Sequence, residues 1–167
     1  MAIITFKDLS KIREKHKNEV VVFCSGCFDL THAGHLLFFE DCKRQGDVLV
    51  VMIGADEVVR QYKGPGRPII NEHMRLKLID SLKPVDYTFL DWFPGPGGHF
   101  LTCVDEALKE LKPDIYVINQ DAQDIAYRKE AVKRHGVELK IFERTAPPEF
   151  EKVSTTDIIK KIKAVRD

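Results

Sequence analysis

The sequence has no excess of charge of either sign, because 26 lysines and arginines are balanced by 26 aspartates and glutamates among its 167 residues. With this balance the chain has no overall positive charge to attract nucleic acid. Nor does it have the strong negative charge that is typical of disordered segments. It also lacks the charged region, the apolar region and the cleavage site of a secretory signal. We therefore expect a cytoplasmic protein that binds small molecules, with neither nucleic acid nor a membrane as its partner.

Cysteine is scarce, and the four that are present are Cys24, Cys27, Cys42 and Cys103, in apolar runs or near a polar motif. We expect them to be reduced thiols. Cys24 and Cys27 have the C-x-x-C spacing of redox proteins, but a redox pair normally opens a helix. Here the predicted helix begins later, near His32, which disfavours a redox function.

The length suits a single domain over residues 1–167, which can bury roughly two thirds of the surface of the unfolded chain. Residues 1–19 are expected to form an approach segment with a helix over residues 8–17. Five later runs predict strands at residues 20–24, 48–53, 85–90, 115–118 and 137–142. Helical patterns separate them, and such strand–helix–strand units require parallel pairing with right-handed crossovers.

Residues 20–35 are the most informative stretch, because a buried strand leads there through a tight loop into an amphipathic helix. Asp29, His32 and His35 follow the strand's carboxyl end. Ligands of open α/β sheets bind at this end, and a helix amino terminus there favours an anion such as phosphate.

His32 and His35 are three residues apart, so both imidazoles are expected on one face of the first helical turn, where they can donate to the same oxyanion. Gly34 between them leaves room for close approach. Two alternatives stay open: the histidines are solvated helix caps, or they bind zinc. No third zinc ligand stands out, because the other histidines are scattered and the cysteines lie mostly in apolar runs.

The ten residues from Gly26 to His35 read Gly-Cys-Phe-Asp-Leu-Thr-His-Ala-Gly-His. They resemble the G-x-F-D-x-x-H-x-G-H signature of the cytidylyltransferase-like nucleotidyltransferases. The resemblance implies an α/β nucleotidyltransferase fold, with a Rossmann-like, doubly wound, five-stranded parallel sheet between two layers of helices. It implies that the two histidines are catalytic and stabilise the charge on the triphosphate. It further implies that ATP or CTP, with Mg²⁺, binds to Gly26, Cys27, Phe28, Asp29, His32, Gly34 and His35.

A basic stretch, Lys-Gly-Pro-Gly-Arg-Pro, runs from Lys63 to Pro68. Its composition predicts a loop whose two cations are either solvated or clamp phosphate. A similar Lys-Gly-Pro-x-Arg-Pro stretch in the adenylyltransferases that make ADP-heptose implies that Lys63 is catalytic and contacts the acceptor or the triphosphate. Arg67 is implied as a second acceptor ligand. Arg75 resembles a family arginine that reaches the acceptor's phosphate, and its alternative is a surface side chain.

The last predicted helix begins with Ser154, Thr155 and Thr156, in a pattern typical of a capping box. The family has a second signature at this place, with an Arg-Thr pair upstream and Ser-Thr-Thr at the helix start. Arg144-Thr145 resembles the upstream pair. The resemblance implies that Arg144 and the three hydroxyl residues bind the phosphates of the nucleotide.

The loop after the fourth predicted strand departs from the family. Heptose-phosphate enzymes usually show Lys-Gly-Gly-Asp there, whereas this sequence has Asn119, Gln120 and Asp121. The retained Asp121 is implied to bind the nucleotide, and the two bulkier side chains predict a different acceptor pocket. The Pro- and Gly-rich loop at residues 91–99 is a candidate lid over the acceptor, and no family motif covers it.

These features predict an enzyme that transfers a nucleotidyl group from a nucleoside triphosphate, with ATP favoured, to a sugar 1-phosphate such as heptose 1-phosphate and releases pyrophosphate. The alternative is a CTP-dependent enzyme acting on glycerol phosphate or another phosphoalcohol, and a silent nucleotide-sensing module ranks below both. We expect direct displacement without a covalent intermediate. The resemblance also implies a homodimer. Asp29 orients the loop, caps it or lies near the metal, and no other protein ligand for a metal is predicted.

Overall fold

Strands and helices alternate along the chain, and the computed structural model describes residues 2–92, 98–144, 146–151 and 153–165. The strands are β1 (Ala2–Ile3), β2 (Val21–Gly26), β3 (Val48–Ile53), β4 (Tyr87–Leu90), β5 (Ile115–Asn119) and β6 (Glu138–Phe142). The helices are α1 (Leu9–Lys15), α2 (Ala33–Lys43), α3 (Asp56–Lys63), α4 (Glu72–Asp80), α5 (Thr102–Leu111), α6 (Ile125–His135) and α7 (Thr155–Ala164). A short 3-10 turn at Phe6–Asp8 precedes α1.

The strands form one parallel sheet in the order β1-β4-β3-β2-β5-β6. From β2 the chain winds through β3 to β4 on one side, and it then crosses past β2 to β5 and β6 on the other side. This reversal makes the sheet doubly wound, so the expected Rossmann-like α/β fold is confirmed. The crevice between β2 and β5, where the winding reverses, is the usual place for a ligand in such sheets.

The expected count of five strands is wrong, because β1 adds a sixth strand at one edge of the sheet. Ala2 N donates to the carbonyl of Asp86 at 2.9 Å, and Ile4 N donates to the carbonyl of Thr88 at 2.8 Å. A strand of two residues is too short to produce an alternating pattern in the sequence. The approach segment is therefore part of the sheet, and its expected helix is present as α1.

Side chains of the central strands alternate between two apolar layers, because successive residues of a strand point to opposite faces. Val21 and Phe23 of β2 pack with residues of α1, α5 and α6, whereas Val22 and Cys24 pack with residues of α2 and α4. Helices thus cover both faces of the sheet and give the expected three layers. Of the helices in the described segments, none is long and apolar enough to cross a membrane.

The four cysteines are buried and form no disulfide. Cys24 and Cys27 flank the end of β2 rather than the start of a helix. Burial raises the pKa of the Cys27 thiol, and it raises the pKa of Cys103 to about 12. Because the thiolate is the reactive form, these two thiols are not suited to redox chemistry.

Candidate active site

A cavity of about 440 Å³ opens at the carboxyl ends of the central strands. Residues at or just beyond the ends of four strands line it, among them Gly26, Gly54, Asp91 and Asn119. Apart from Arg75, the expected site residues in the described segments line the same cavity: Gly26, Cys27, Phe28, Asp29, His32, Gly34, His35, Lys63, Arg67, Asp121, Arg144, Ser154, Thr155 and Thr156. The fold therefore brings together motifs that are far apart in the sequence.

The hydrogen bonds that cap α2 orient the two signature histidines. His32 is the N-cap residue, and its Nδ1 accepts a hydrogen bond from Gly34 N at 3.1 Å. His35 Nδ1 accepts one from His32 N at 3.4 Å. A neutral imidazole whose Nδ1 accepts carries its proton on Nε2. The cap thus makes the Nε2–H of each ring a donor for other groups.

Both imidazoles are neutral near pH 7. The two ring centroids are 4.1 Å apart. Burial lowers the pKa of His35 to about 3, and its proximity to the titratable ring of His32 and to the cations Arg144 and Lys63 acts in the same direction. Burial, with a smaller effect of Arg144, also lowers the pKa of His32. The pair therefore acts as two neutral hydrogen-bond donors rather than as two cations.

Gly34 lies directly against the ring of His32. A Cβ added at Gly34 would lie 2.9 Å from Cε1 and 3.0 Å from Nδ1 of that ring. The sequence predicts that Gly34 leaves space for a ligand. The imidazole of His32 occupies this space, because its Nδ1 accepts a hydrogen bond from Gly34 N. Any side chain at this position would push the ring away from its cap.

Asp29 holds the signature loop against the basic loop. Its side chain is 2% exposed and accepts hydrogen bonds from Ile69 N at 2.8 Å, Ile70 N at 3.0 Å and Arg67 Nε at 2.8 Å. Burial by itself would raise the pKa of Asp29, but these donors outweigh it and lower the pKa. The carboxylate therefore stays charged and joins two segments that are far apart in the sequence.

The backbone of the loop explains why such ties are needed. Phe28 and Leu30, on either side of Asp29, have φ angles of 49° and 48°. Non-glycine residues rarely adopt this left-handed region, and it persists only where the surroundings enforce it. Leu30 N also donates to the Asp29 carboxylate at 3.1 Å. Among the roles expected for Asp29, orientation of the loop is the one that these contacts support.

Two buried donors in the cavity have no partner among the described residues, namely Nε2 of His32 and Nη2 of Arg67. Buried N–H groups without a partner are rare, because they lose their bonds to water without replacement. Arg67 is fixed by its Nε bond to Asp29, so its free Nη2 keeps a defined position. Both residues line the cavity, so oxygens of a bound ligand are the natural acceptors for these donors.

Lys63 is the last residue of α3 and lines the cavity. Its Nζ lies 5.7 Å from the ring centroid of Tyr62. No carboxylate of the described segments lies within 4.0 Å of this ammonium. Its charge is therefore available to an anionic ligand.

Arg75 does not line the cavity, which corrects its expected role in acceptor binding. The guanidinium donates to the carbonyl of Cys27 at 2.6 Å, to the carbonyl of Ile70 at 2.8 Å and to Asp56 Oδ1 at 2.6 Å. It is 1% exposed, so the alternative of a surface side chain is also wrong. The sequence could not reveal this role, because the three acceptors come from three separate segments.

The start of α7 packs against the signature loop. Ser154 is its N-cap residue, and the expected capping box is present: Ser154 Oγ accepts from Asp157 N at 3.2 Å, and the Asp157 carboxylate accepts from Ser154 N at 3.0 Å. Thr155 Oγ1 donates to the carbonyl of Asp29 at 2.8 Å. The amino termini of α2 and α7 therefore open onto one cavity, an arrangement suited to a polyphosphate.

Arg144 and Asp121 lie on another wall of the cavity and form an ion pair, with Arg144 Nη2 2.6 Å from Asp121 Oδ2. Both side chains are about half exposed. Thr156, which is exposed, completes the expected phosphate-binding set. Thr145, the second member of the Arg-Thr pair, lies outside the described residues.

Sequence reasoning missed two buried ionisable residues of the cavity, Asp91 and Arg128. Asp91 directly follows β4, accepts a hydrogen bond from Ala55 N, and has its pKa raised to about 7 by burial. Its position directly after a strand is a signal for a site residue, but the sequence alone places it in the candidate lid loop. Residues 93–97 of that loop lie outside the described residues, so the lid stays a prediction. Arg128 lies within a helical pattern and gave no signal.

Within the described segments, no group of three or more histidine, cysteine, aspartate or glutamate side chains is placed to hold a metal ion. The zinc alternative for His32 and His35 therefore has no ligand set there. The alternative role as helix caps is partly correct, because Nδ1 of each ring accepts a backbone hydrogen bond at the start of α2. Nε2 of each ring is not used in the cap and can bind a ligand.

Comparison with known proteins shows the family of this chain. The profile of the cytidylyltransferase-like family matches residues 23–161. The Bifunctional protein HldE of Alcanivorax borkumensis is 36% identical over 149 residues, which cover 88% of this chain and 28% of that protein. The Bifunctional protein HldE of Azotobacter vinelandii is 33% identical over 159 residues, which cover 93% of this chain and 30% of that protein. The chain thus spans less than a third of the length of these curated relatives.

Solved structures share the fold. The lipopolysaccharide core biosynthesis protein from Thermoplasma volcanium GSS1 has a TM-score of 0.61 and 32% identity over 77% of this chain and 98% of that one. Pantoate-beta-alanine ligase from Francisella tularensis has a TM-score of 0.68 and 20% identity over 98% of this chain and 77% of that one, a likeness of fold alone. The expected enzyme class, a nucleotidyltransferase, is confirmed at the level of the family. The chain belongs to the cytidylyltransferase-like family.

Proposed function

We propose that the protein transfers a nucleotidyl group from a nucleoside triphosphate to a phosphorylated small molecule and releases pyrophosphate. The observation that carries the proposal is the neutral pair His32 and His35, whose Nδ1 atoms cap α2 while their Nε2–H groups are left for a ligand. The buried Nε2 of His32 has no partner among the described residues. A phosphate oxygen is the acceptor that best suits a donor at a helix amino terminus.

In this reaction an oxygen of the acceptor's phosphate attacks the α-phosphorus of the triphosphate, and the bond from that phosphorus to the bridging oxygen breaks as pyrophosphate leaves. Negative charge grows on the bridging and leaving oxygens, so donors must be placed there in advance. His32 and His35 supply N–H donors, and Lys63 supplies an ammonium that no described carboxylate neutralises. The acceptor is already an anion and needs no general base, so no covalent intermediate is required.

We also propose that Mg²⁺ accompanies the triphosphate. The described side chains offer no set of three metal ligands. Phosphate oxygens and water would then supply most of the ion's ligands, as is common for Mg²⁺. When bound, the ion neutralises charge on the triphosphate.

For the substrates we favour ATP and a sugar 1-phosphate such as heptose 1-phosphate. Support comes from the Lys63 to Pro68 stretch and from the similarity to a lipopolysaccharide core biosynthesis protein. The alternative is CTP with glycerol phosphate or another phosphoalcohol. It is favoured by Asn119, which lines the cavity in place of a glycine of the Lys-Gly-Gly-Asp pattern that heptose-phosphate enzymes usually show. A silent nucleotide-sensing module ranks third. By resemblance to similar enzymes we further propose a homodimer that works in the cytoplasm.

The test is the release of pyrophosphate with Mg²⁺ and each of ATP, CTP, GTP and UTP, against sugar phosphates, glycerol phosphate and phosphoalcohols. We expect turnover with one pair and a loss on the order of 100-fold or more in His35→Ala. His73→Ala removes an exposed histidine of α4 and is the matched control that keeps turnover. Nucleotide binding without pyrophosphate release for any pair would contradict the proposal and favour the sensing module.

A further inference from the structure

One arginine of the cavity, Arg128, forms no ion pair with a carboxylate of the described residues. Every other arginine in the described segments lies within 4.0 Å of an aspartate or glutamate oxygen, whereas Arg128 does not. The pairs are Arg13–Asp114, Arg44–Asp41, Arg60–Glu57, Arg67–Asp29, Arg75–Asp56, Arg134–Asp105 and Arg144–Asp121. Arg128 is therefore the exception among the arginines that the structure describes.

Arg128 is also buried, with 7% of its surface exposed. Its Nε donates to the carbonyl of Gln123 at 2.9 Å. Its Nη1 donates to Ser25 Oγ at 3.2 Å and to the hydroxyl of Tyr116. These three partners are neutral acceptors: burial raises the pKa of the Tyr116 phenol, so that hydroxyl carries no charge near pH 7. The guanidinium is thus fixed in place with no described carboxylate within 4.0 Å, although its charge contributes to lowering the pKa of Asp124.

A buried charge without an opposite charge is costly, because it has given up the solvation of water and gained no ion pair. A guanidinium cannot lower this cost by losing its proton. Arg128 lines the cavity at the β2–β5 crevice, since Ser25 belongs to β2 and Tyr116 to β5. The missing counter-charge is therefore expected from an anion that enters this cavity.

The position of Arg128 separates this anion from the triphosphate. Tyr116 belongs to the apolar layer that α1, α5 and α6 cover, and α6 carries Arg128. His32 and His35 lie at the start of α2, which covers the opposite face of the sheet. The two groups thus approach the crevice from opposite faces, which suits two different anionic ligands.

The other cavity arginines are less suited to the second ligand. Arg67 is held by Asp29 at 2.8 Å, and Arg144 is paired with Asp121 at 2.6 Å. Each would have to share its charge between an ion pair and a ligand. Arg128 is in direct contact with no described carboxylate, and the planar guanidinium fork matches the oxygens of a phosphate.

We propose that Arg128, positioned by Ser25 and Tyr116, binds the phosphate group of the acceptor substrate. The inference rests on the proposed nucleotidyl transfer and names the residue that recognises its second substrate. Ser25 and Tyr116 are positioning residues. Their hydroxyls are 2.7 Å apart, so they keep a hydrogen bond to each other when Arg128 is replaced.

The first test measures the binding of inorganic phosphate and needs no turnover. The protein is saturated with an ATP or CTP analogue in which a methylene group replaces the α,β-bridging oxygen, and phosphate binding is followed by calorimetry and by the melting temperature. We expect Arg128→Met to weaken phosphate binding on the order of tenfold to a hundredfold, the range for a hydrogen-bonded charge. Arg134→Met, on the same helix at an exposed ion pair, is the matched control and keeps the wild-type affinity.

The second test uses turnover, once pyrophosphate release has identified an acceptor. Arg128→Met should raise the KM for the acceptor on the order of tenfold or more and leave the KM for the nucleoside triphosphate unchanged. Arg128→Lys keeps the charge without the fork and should fall between wild type and Arg128→Met. An unchanged acceptor KM together with unchanged phosphate binding would overturn the proposal.

The two proposals fail in different ways. Absence of pyrophosphate release with phosphate binding that still depends on Arg128 would refute the transfer reaction and leave an anion site. If Arg128→Met does not fold, the test uses the NMR signals of the arginine Nε–H groups in the unmodified protein. The signal of Arg128 is assigned by its absence from the spectrum of Arg128→Lys. A shift of the Arg128 resonance on addition of phosphate to the analogue complex supports the proposal, and no shift refutes it.

Discussion

The hydroxyl of Thr155 donates a 2.8 Å hydrogen bond to the backbone carbonyl of Asp29, which joins residues that are 126 positions apart. Asp29 in turn binds the backbone of Ile69 and Ile70. Three segments of the cavity, the signature loop, the basic loop and the start of α7, are therefore held together through one residue. Preorganised donors are the main source of catalysis in phosphoryl transfer, so this junction has consequences for binding.

Thr155→Val should weaken nucleotide binding, because the start of α7 loses its tie to the signature loop. The free energy of unfolding should fall by about 1 kcal/mol, the usual value for one hydrogen bond. Thr102→Val removes a bond of equal length, from Thr102 Oγ1 to the carbonyl of His99, and is the control. Calorimetry should show weaker nucleotide binding in the first variant only. An equal loss in both would show that the tie acts on stability alone.

Gly34→Ala should impair turnover without unfolding the protein. The new Cβ would lie within 3.0 Å of the His32 ring, so the ring must leave its cap and its Nε2 must move. We expect a loss in kcat approaching that of His32→Ala, on the order of 100-fold. Gly66→Ala is the control, since a Cβ there meets nothing within 4 Å. Wild-type kcat in Gly34→Ala would contradict the role assigned to the cap.

His35 should remain neutral through the whole range in which free histidine titrates. Its pKa is lowered from 6.5 to about 3, chiefly by burial. The unfolded state therefore takes up a proton that the native state excludes, and the free energy of unfolding should fall as the pH drops from 6.5 to about 3. His35→Gln should remove this part of the slope, and His73→Gln should keep it. An NMR titration of the His35 ring with a midpoint near 6.5 would contradict the assignment.

Asp91 should have the opposite effect on stability. Burial raises its pKa from 3.8 to about 7, so the native state holds a proton that the unfolded state loses. The stability that this proton provides is full below pH 3.8 and is lost as the pH rises to about 7. Wild type should therefore lose stability between about pH 5 and about pH 8, whereas Asp91→Asn should not lose this contribution. Denaturant unfolding at the two pH values measures the difference. Glu130→Gln, at an exposed position, is the control, and equal slopes in wild type and Asp91→Asn would refute the shift.

The sequence by itself determined the layers of the fold and the core of the site. Short apolar strands separated by helical patterns permit few arrangements other than a parallel sheet covered on both faces. Polar residues directly after β2 must then lie at the ligand edge, so His32 and His35 could be assigned from the chain alone. The Ser-Thr-Thr start of α7 followed from the same resemblance, and its capping box is local in sequence.

The tertiary structure decided what depends on contacts between distant segments. Arg75 was expected at the acceptor, but its three acceptors lie in three segments and bury it away from the cavity. The strand β1 was invisible, since two residues give no pattern and only pairing with β4 defines it. The shifted pKa of Asp91 and the buried charge of Arg128 also emerged only on folding, because the free energy of a buried ionisable group depends on which groups surround it.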